Sequence, residues 1–240
     1  MNKIREVVKR IPVVNDIANK IIVKSKNLLF KESGEYWENR YAEGGNSGPG
    51  SYDALAIFKA DQINTFLREK GVRSAIEFGC GDGSQLEMIN YHSYIGLDVS
   101  KTAISLCKKR FSQDKSKSFF LYSSACFVDN GSIFVSELSI SLDTIYHLVE
   151  DEIYENYMSH LFSSASKYVI IYSSNVADNL RNNYAHIKHR EFTKTVEEKF
   201  FDWCLLKFVP NKYPYSKDSS FGSFANFYIF EKNNKHITET

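Results

Sequence analysis

The 240-residue chain is 43% hydrophobic and 25% charged with a net charge of +1, ordinary globular values that exclude a disordered or fibrous protein. No apolar run approaches the roughly 18–20 residues that span a bilayer and no signal peptide is legible, so the cytoplasm is the expected location. Cys80, Cys107, Cys126 and Cys204 lack CxxC or short Cys/His spacing, which argues against a disulfide framework or a zinc knuckle.

The near-neutral total hides an asymmetry. Residues 1–31 carry eight Lys/Arg against Glu6 and Asp16, which leaves −5 on the rest and gives no basis for nucleic-acid binding. In that arm Ile4, Val7, Val8 and Ile11 form one apolar stripe, Pro12 interrupts it, and Val14, Ile17, Ala18, Ile21 and Ile22 continue it. The pattern predicts a pair of helices packed on the domain, on a second subunit or on a partner; a basic helix lying on a membrane surface is the alternative. Residues 34–51 are rich in glycine and follow on with Tyr36, Trp37, Arg40 and Tyr41, so they read as a flexible loop, either a lid with aromatic anchors or a plain linker. Residues 1–51 are thus an arm with a loop, 52–232 the main domain and 233–240 a tail.

A helix is expected from Tyr52 to Lys70, with Leu55, Phe58, Ile63, Phe66 and Leu67 inward and Gly71 as its stop. An alternating pattern follows. Ala75–Phe78 is a strand running into Gly79-x-Gly81-x-Gly83, with a helical stretch around Leu86 and Met88. Tyr94–Asp98 is a second strand, and Ser100 caps a helix with Ala103, Ile104, Leu106 and Cys107 on its apolar face. Further strands are predicted at Phe119–Tyr122, Leu142–Tyr146, Tyr168–Tyr172, Leu205–Val209 and Phe227–Phe230, and helices at Asp151–Phe162 and Thr193–Phe200. Such alternation predicts a doubly wound α/β domain with a parallel sheet covered on both faces.

In such a sheet ligands bind beyond the carboxyl ends of the strands, where strand order reverses. That rule gathers Glu77–Gly83, Asp98 and the segments after Tyr146 and Tyr172 around one crevice. The three glycines let backbone approach a ligand, and Asp98 ends its strand where a carboxylate can accept bonds from both hydroxyls of a ribose. A dinucleotide fingerprint would read G-x-G-x-x-G, but here the third glycine comes one residue early. An NAD-dependent nucleotide-sugar oxidoreductase therefore fits poorly.

The run Glu77-Phe78-Gly79-Cys80-Gly81-Asp82-Gly83, with Ile95–Asp98, Asp143–Leu148 and the closing strands, resembles the class I S-adenosylmethionine-dependent methyltransferases over roughly residues 52–231. The resemblance implies a Rossmann-like seven-stranded sheet of order 3-2-1-4-5-7-6 with an antiparallel last strand. It implies S-adenosyl-L-methionine as cofactor and S-adenosyl-L-homocysteine as product. Glu77, Gly79, Gly81 and Gly83 would surround the methionine moiety and Asp98 the ribose. Residues 122–126 would face the adenine, with Ser123 and Ser124 where many members carry an acid and Asp129 as a substitute. The loop residues Tyr36, Trp37, Arg40 and Tyr41 would close over the cofactor, and Tyr146 would contact it. A narrower likeness to bacterial methyltransferases of surface-polysaccharide biosynthesis implies a small-molecule acceptor methylated at oxygen.

Methyl transfer requires an aligned acceptor and a sink for its proton. His147, leaving the fourth strand at the crevice, is the candidate base, with a packing histidine as the alternative. Glu150 and Asp151 could assist it, or simply start a helix. Tyr172 and Asn175 lead into Arg181, Tyr184, His186, Lys188, His189 and Arg190, a cationic run that predicts an anionic acceptor such as a phosphate, or else a solvated loop. His186 and His189 lack a third ligand, so no metal is expected. A non-catalytic cofactor-binding or assembly protein, docked through the basic arm, is the rival reading.

Overall fold

The computed structural model describes residues 30–177, 184–216 and 221–233; the expectations for the basic arm, Arg181 and most of the tail lie outside them. The described elements are α1 (Ser33–Ala42), α2 (Asp53–Lys70), β1 (Ser74–Phe78), β2 (Ser93–Asp98), α3 (Lys101–Arg110), β3 (Lys117–Leu121), β4 (Ser136–Leu142), α4 (Asp151–Ser163), β5 (Ala165–Ser173), α5 (Phe192–Lys199), β6 (Trp203–Val209) and β7 (Asn226–Lys232). The sheet runs β3-β2-β1-β4-β5-β7-β6, with β1 to β5 parallel and β7 antiparallel to both β5 and β6. This is the predicted doubly wound order. Among the described residues no helix is long and apolar enough to cross a membrane.

The period-2 alternation of the central strands sends side chains to two cores. Leu138, Ile140, Ile170 and Tyr172 pack with α2 and α3 on one face. Ile76, Phe78, Val169 and Ile171 pack with α4 and α5 on the other. Glu77 lies between Ile76 and Phe78, so it shares the first face with α2.

Three local expectations are corrected. The loop predicted over 34–51 begins as helix α1, because Trp37 and Tyr41 sit one helical turn apart with rings 5.9 Å apart and Glu150 accepts the Ser33 N–H that a first turn leaves free. The helix expected around Leu86 and Met88 is a single 3-10 turn, Leu86–Met88, since Asn64 of α2 bonds both Met88 O and Asn90 N–H and ends it there. The fourth strand lies at Ser136–Leu142 rather than Leu142–Tyr146, and Ile145–His147 forms a 3-10 turn. Its serines concealed it: Ser139 and Ser141 are fully buried, and Ser141 shares a hydrogen bond with the Tyr157 hydroxyl.

Gly71 takes φ +62° at the end of α2, and the Ser100 hydroxyl accepts the Ala103 N–H at the start of α3, as the sequence predicts. Lys59, on the apolar stripe of α2 and 1% exposed, reaches Asp143 just beyond β4 at 2.6 Å. Removing one partner of a buried pair strands the other charge. Lys59→Met is expected to lower unfolding free energy by about 3 kcal/mol, read by urea denaturation, and adding Asp143→Asn should restore part of it.

Candidate active site

The carboxyl ends of β1, β2 and β4, roofed by α1, enclose a cavity of about 490 Å³. Its walls include Glu77, Gly79, Cys80, Gly81, Gln85, Asp98, Val99, Leu121 to Ser124, Asp143, Thr144, His147 and, from above, Trp37, Glu38 and Tyr41. The glycines at its base are required by contact. A Cβ on Gly79 would strike the Thr144 side chain, and one on Gly81 would strike the Ser47 hydroxyl and stand 2.9 Å from the Tyr41 hydroxyl. Both have positive φ, +84° and +58°. Gly83 serves packing instead: its Cβ would meet the Phe111 ring at 2.8 Å and Cys107 Sγ at 3.1 Å, and it is not in the cavity wall.

Asp98 accepts the Gly81 N–H on Oδ2 at 2.9 Å and the Ser100 N–H on Oδ1 at 2.8 Å. Each oxygen keeps a lone pair for a further donor. Burial raises the Asp98 pKa to about 6 despite these bonds. Burial likewise pushes Glu77 up to about 7, against the Tyr94 hydroxyl that donates to it at 2.7 Å and the nearby Lys59 charge. Gln85 donates to Ala56 O, while its buried Oε1 has no partner among the described residues. Gln85 and the buried Glu77 carboxyl thus both line the cavity, an unpaired acceptor and an acid that a cationic donor would suit.

His147 Nδ1 lies 3.0 Å from the His186 carbonyl oxygen. A carbonyl only accepts, so Nδ1 carries the proton and Nε2 is left as the basic nitrogen. Burial lowers the His147 pKa to about 4, so the ring is neutral at ordinary pH.

The aromatic residues of α1 divide by helical period. Ser33, Gly34, Trp37, Glu38 and Tyr41 face the cavity, whereas Tyr36 and Arg40 fall off that stripe. Tyr36 stacks on His186 at 4.3 Å, and Arg40 donates to Asn46 O and sits 5.5 Å from the Trp37 ring centre. Of the α1 residues expected to close over a cofactor, Trp37 and Tyr41 line the cavity and Tyr36 and Arg40 do not. Tyr146 is also outside the wall: its hydroxyl donates to Asp143 Oδ1 at 2.9 Å.

The residues expected to bind an anionic acceptor are engaged elsewhere. Arg190 donates to Leu148 O, Val149 O and Asp151 and lies 4.4 Å over the Tyr154 ring; Lys188 also pairs with Asp151. These cations hold Asp151 down to about 2, and Glu150 binds Ser33 at the start of α1, so neither acid assists His147. His189 Nδ1 meets the Ser174 hydroxyl, and Asn175 bonds Thr193 at the start of α5. The Tyr172 hydroxyl accepts from Asn211 inside the core. Asp129 accepts the Ile133 and Phe134 N–H groups and is likewise outside the wall, while Ser123 and Ser124 are in it. No cluster of His, Cys, Asp and Glu that could hold a metal occurs among the described residues.

Sequence reasoning missed Lys59, Gln85 and Thr144. Lys59 carried a signal, since a lysine between Leu55 and Ile63 on an apolar stripe must be buried with a partner. Gln85 and Thr144 carried none.

No family model matches the sequence, and no curated protein matches it. Solved structures do. The N-methyltransferase NodS from Bradyrhizobium japonicum WM9, in complex with S-adenosylhomocysteine, is 15% identical with a TM-score of 0.64 over 84% of this chain and 99% of that one. Magnesium protoporphyrin IX methyltransferase ChlM from Synechocystis PCC 6803, also with S-adenosylhomocysteine, is 14% identical with a TM-score of 0.58, covering 82% of this chain and 97% of that one. The methyltransferase domain of the bacterial protein CtHen1-C is 20% identical with a TM-score of 0.58, covering 74% and 98%. The chain therefore has the fold of the class I methyltransferases.

The buried Glu77 carboxyl gives a stability signature that needs no ligand. Its pKa is about 7 when folded against an ordinary value of 4.5, so between those limits the folded state holds the extra proton and stability falls as pH rises. Glu77→Gln keeps an acceptor for Tyr94 and removes this dependence. Its stability relative to the parent should rise by about 3 kcal/mol from pH 4.5 to pH 7 and stay level above, measured by urea unfolding across pH.

Proposed function

We propose that the chain is an S-adenosylmethionine-dependent methyltransferase that transfers a methyl group to a hydroxyl of a small polar acceptor. The observation that carries this reading is the pairing, in one cavity, of a cradle for a cationic nucleoside with a neutral histidine base. Asp98 offers two oxygens to a ribose, and Val99 and Leu121 give apolar surface beside it for a flat base. Glu77 and the orphaned Gln85 Oε1 suit the ammonium of a methionine tail. Lys59 is the sole Lys or Arg among the described residues of the wall and suits the tail carboxylate. When bound, the sulfonium supplies an electrophilic methyl carbon whose bonding pair stays on sulfur.

What remains for the protein is alignment and a proton. His147 Nε2 takes the hydroxyl proton as the acceptor oxygen bonds to carbon, and its Nδ1–H stays on the His186 carbonyl. Trp37, with its ring 4.9 Å from His147, walls the reacting end from water. The wall offers carboxylates and no unpaired cation among the described residues, so the acceptor is recognised by shape and hydroxyl groups rather than by a negative charge. The narrower likeness to surface-polysaccharide methyltransferases makes a sugar-bearing precursor the first acceptor class to assay.

Calorimetry should show binding of S-adenosylmethionine and S-adenosylhomocysteine and none of NAD; NAD binding without the S-adenosyl ligands would overturn the reading. Asp98→Ala should weaken S-adenosylhomocysteine at least about tenfold through the lost ribose bonds. Lys59→Met should weaken S-adenosylhomocysteine by a larger factor than 5′-methylthioadenosine, which lacks the tail. With tritiated methyl donor and a small-molecule extract as acceptor source, His147→Ala should cut incorporation by about 100-fold or more.

A further inference from the structure

His147 is held by more than its own hydrogen bond. The His186 ring lies nearly parallel to it at 5.5 Å and 13°, and the Tyr36 ring stacks on His186 at 4.3 Å and 11°. Three rings from three parts of the chain form one column: Tyr36 on α1, His186 in the segment between β5 and α5, and His147 in the turn after β4. The Trp37 ring stands edge-on to His147 at 4.9 Å and Tyr146 packs at 4.5 Å, which fills the other sides. The backbone of the His186 segment is tied to the same turn, since Lys188 N–H donates to Tyr146 O at 2.8 Å.

The column has a chemical consequence. A free imidazole prefers its proton on Nε2, which would present the cavity with a donor and no base. Accepting the Nδ1 proton requires the His186 carbonyl to stay within hydrogen-bond distance, and a carbonyl in an irregular segment stays where its own side chain is anchored. The stack on Tyr36, supplied by the helix that roofs the cavity, anchors the side chain, alongside the Tyr184 ring at 5.6 Å and the backbone tie from Lys188 to Tyr146.

We propose that Tyr36 and His186 are positioning residues for His147: the Tyr36–His186 stack holds the His186 carbonyl on Nδ1–H and so presents Nε2 as the basic nitrogen. The inference deepens the proposed function and rests on His147 being the base. It makes the docking of α1 and the readiness of the base a single condition, because Trp37 and Tyr36, adjacent on α1, reach the cavity and the column respectively. The charged and titratable groups facing the ring are Asp143 beyond β4, Arg40 on α1, His189, and the His186 and Tyr146 rings packed on it; Asp143 favours the imidazolium, and Arg40 and His189 disfavour it.

The test needs no acceptor. The full chain, labelled with 15N at histidine and assigned with His147→Gln, is titrated by NMR from pH 3.5 to 8. Ring nitrogen shifts report which nitrogen bears the proton. The parent should show His147 protonated on Nδ1, with a midpoint near 4. Tyr36→Ala and His186→Ala, approaching the stack from its two sides, should each move the proton from Nδ1 toward Nε2, read as an exchange of the protonated and unprotonated nitrogen shifts above the midpoint. Tyr36→Phe should behave as the parent, since only the ring is used. A parent already protonated on Nε2 would overturn the proposal, as would alanine variants with parent-like nitrogen shifts. S-adenosylhomocysteine calorimetry on the same samples separates the two readings: loss of the column leaves cofactor binding intact, whereas failure of the parent to bind refutes the proposed function and leaves the titration result standing.

Discussion

The buried Lys59–Asp143 pair is the contact on which the site depends. Taking two charges out of water costs several kcal/mol per ion, and Asp143 adds a left-handed backbone, φ +56°, that costs roughly 1–3 kcal/mol more outside glycine. Good geometry offsets this. Asp143 Oδ2 takes Lys59 and Oδ1 takes the Tyr146 hydroxyl, so both oxygens are satisfied. The left-handed turn is what swings the chain out of β4 into the Ile145–His147 turn. It also brings Thr144 against Gly79, and leaves Gly50 so close that a Cβ there would lie 2.7 Å from the carboxylate. One ion pair thus fixes the spacing between the glycine turn after β1, the segment at Gly50 that precedes α2, and His147.

Around that pair the cavity is electrostatically unbalanced. Glu32, Glu35, Glu38, Glu77, Asp98 and Asp143 face it, with Lys59 as the one lysine or arginine in the wall among the described residues and Lys31 pairing with Glu35 from outside it. Some of this charge is absorbed locally: Glu38 accepts the Ser100 and Thr102 hydroxyls and the Thr102 N–H, and the Ser100 hydroxyl bond, first among these, keeps its pKa low. Glu77 and Asp98 are not so relieved. Burial is the first cause of their raised pKa values, and neighbouring acids add an unfavourable field that a cation beside them would relieve. A folded state that tolerates such a field does so because the two cores on either side of the sheet supply the stability.

The fold was legible because its signals are periodic. Apolar strands bounded by glycine, a serine cap and a glycine stop recur at the right spacing, and the sheet order followed from the resemblance they support. β4 was displaced because Ser136-Glu137-Leu138-Ser139-Ile140-Ser141-Leu142 reads as a half-polar strand while the structure buries its serines. The glycine turn, Asp98 and His147 could be picked out because each stands at a strand end with a chemical type that limits its use. The 186–190 segment misled for the opposite reason. Charge in a sequence does not say what it pairs with, and Lys188 and Arg190 pair with Asp151 and with backbone carbonyls of the same protein. Composition counts cations; only geometry shows which are spent.

What α1 does follows from its period. A helix 10 residues long has room for one stripe toward the cavity and a second beside it. Its N-terminus is held by Glu150, which accepts both the N–H and the hydroxyl of Ser33, and Glu38, further along, caps α3. These two carboxylates fasten the helix to opposite banks of the crevice, the β4 side and the β2 side. The cations of the 186–190 segment, by holding Asp151 beside Glu150, brace one of those banks. The loop that looked built to capture an anion is therefore part of the wall that seats the roof. On the proposed function an acceptor would meet Trp37, a neutral imidazole and carboxylates, surroundings that favour groups giving up a proton over groups that already carry a negative charge.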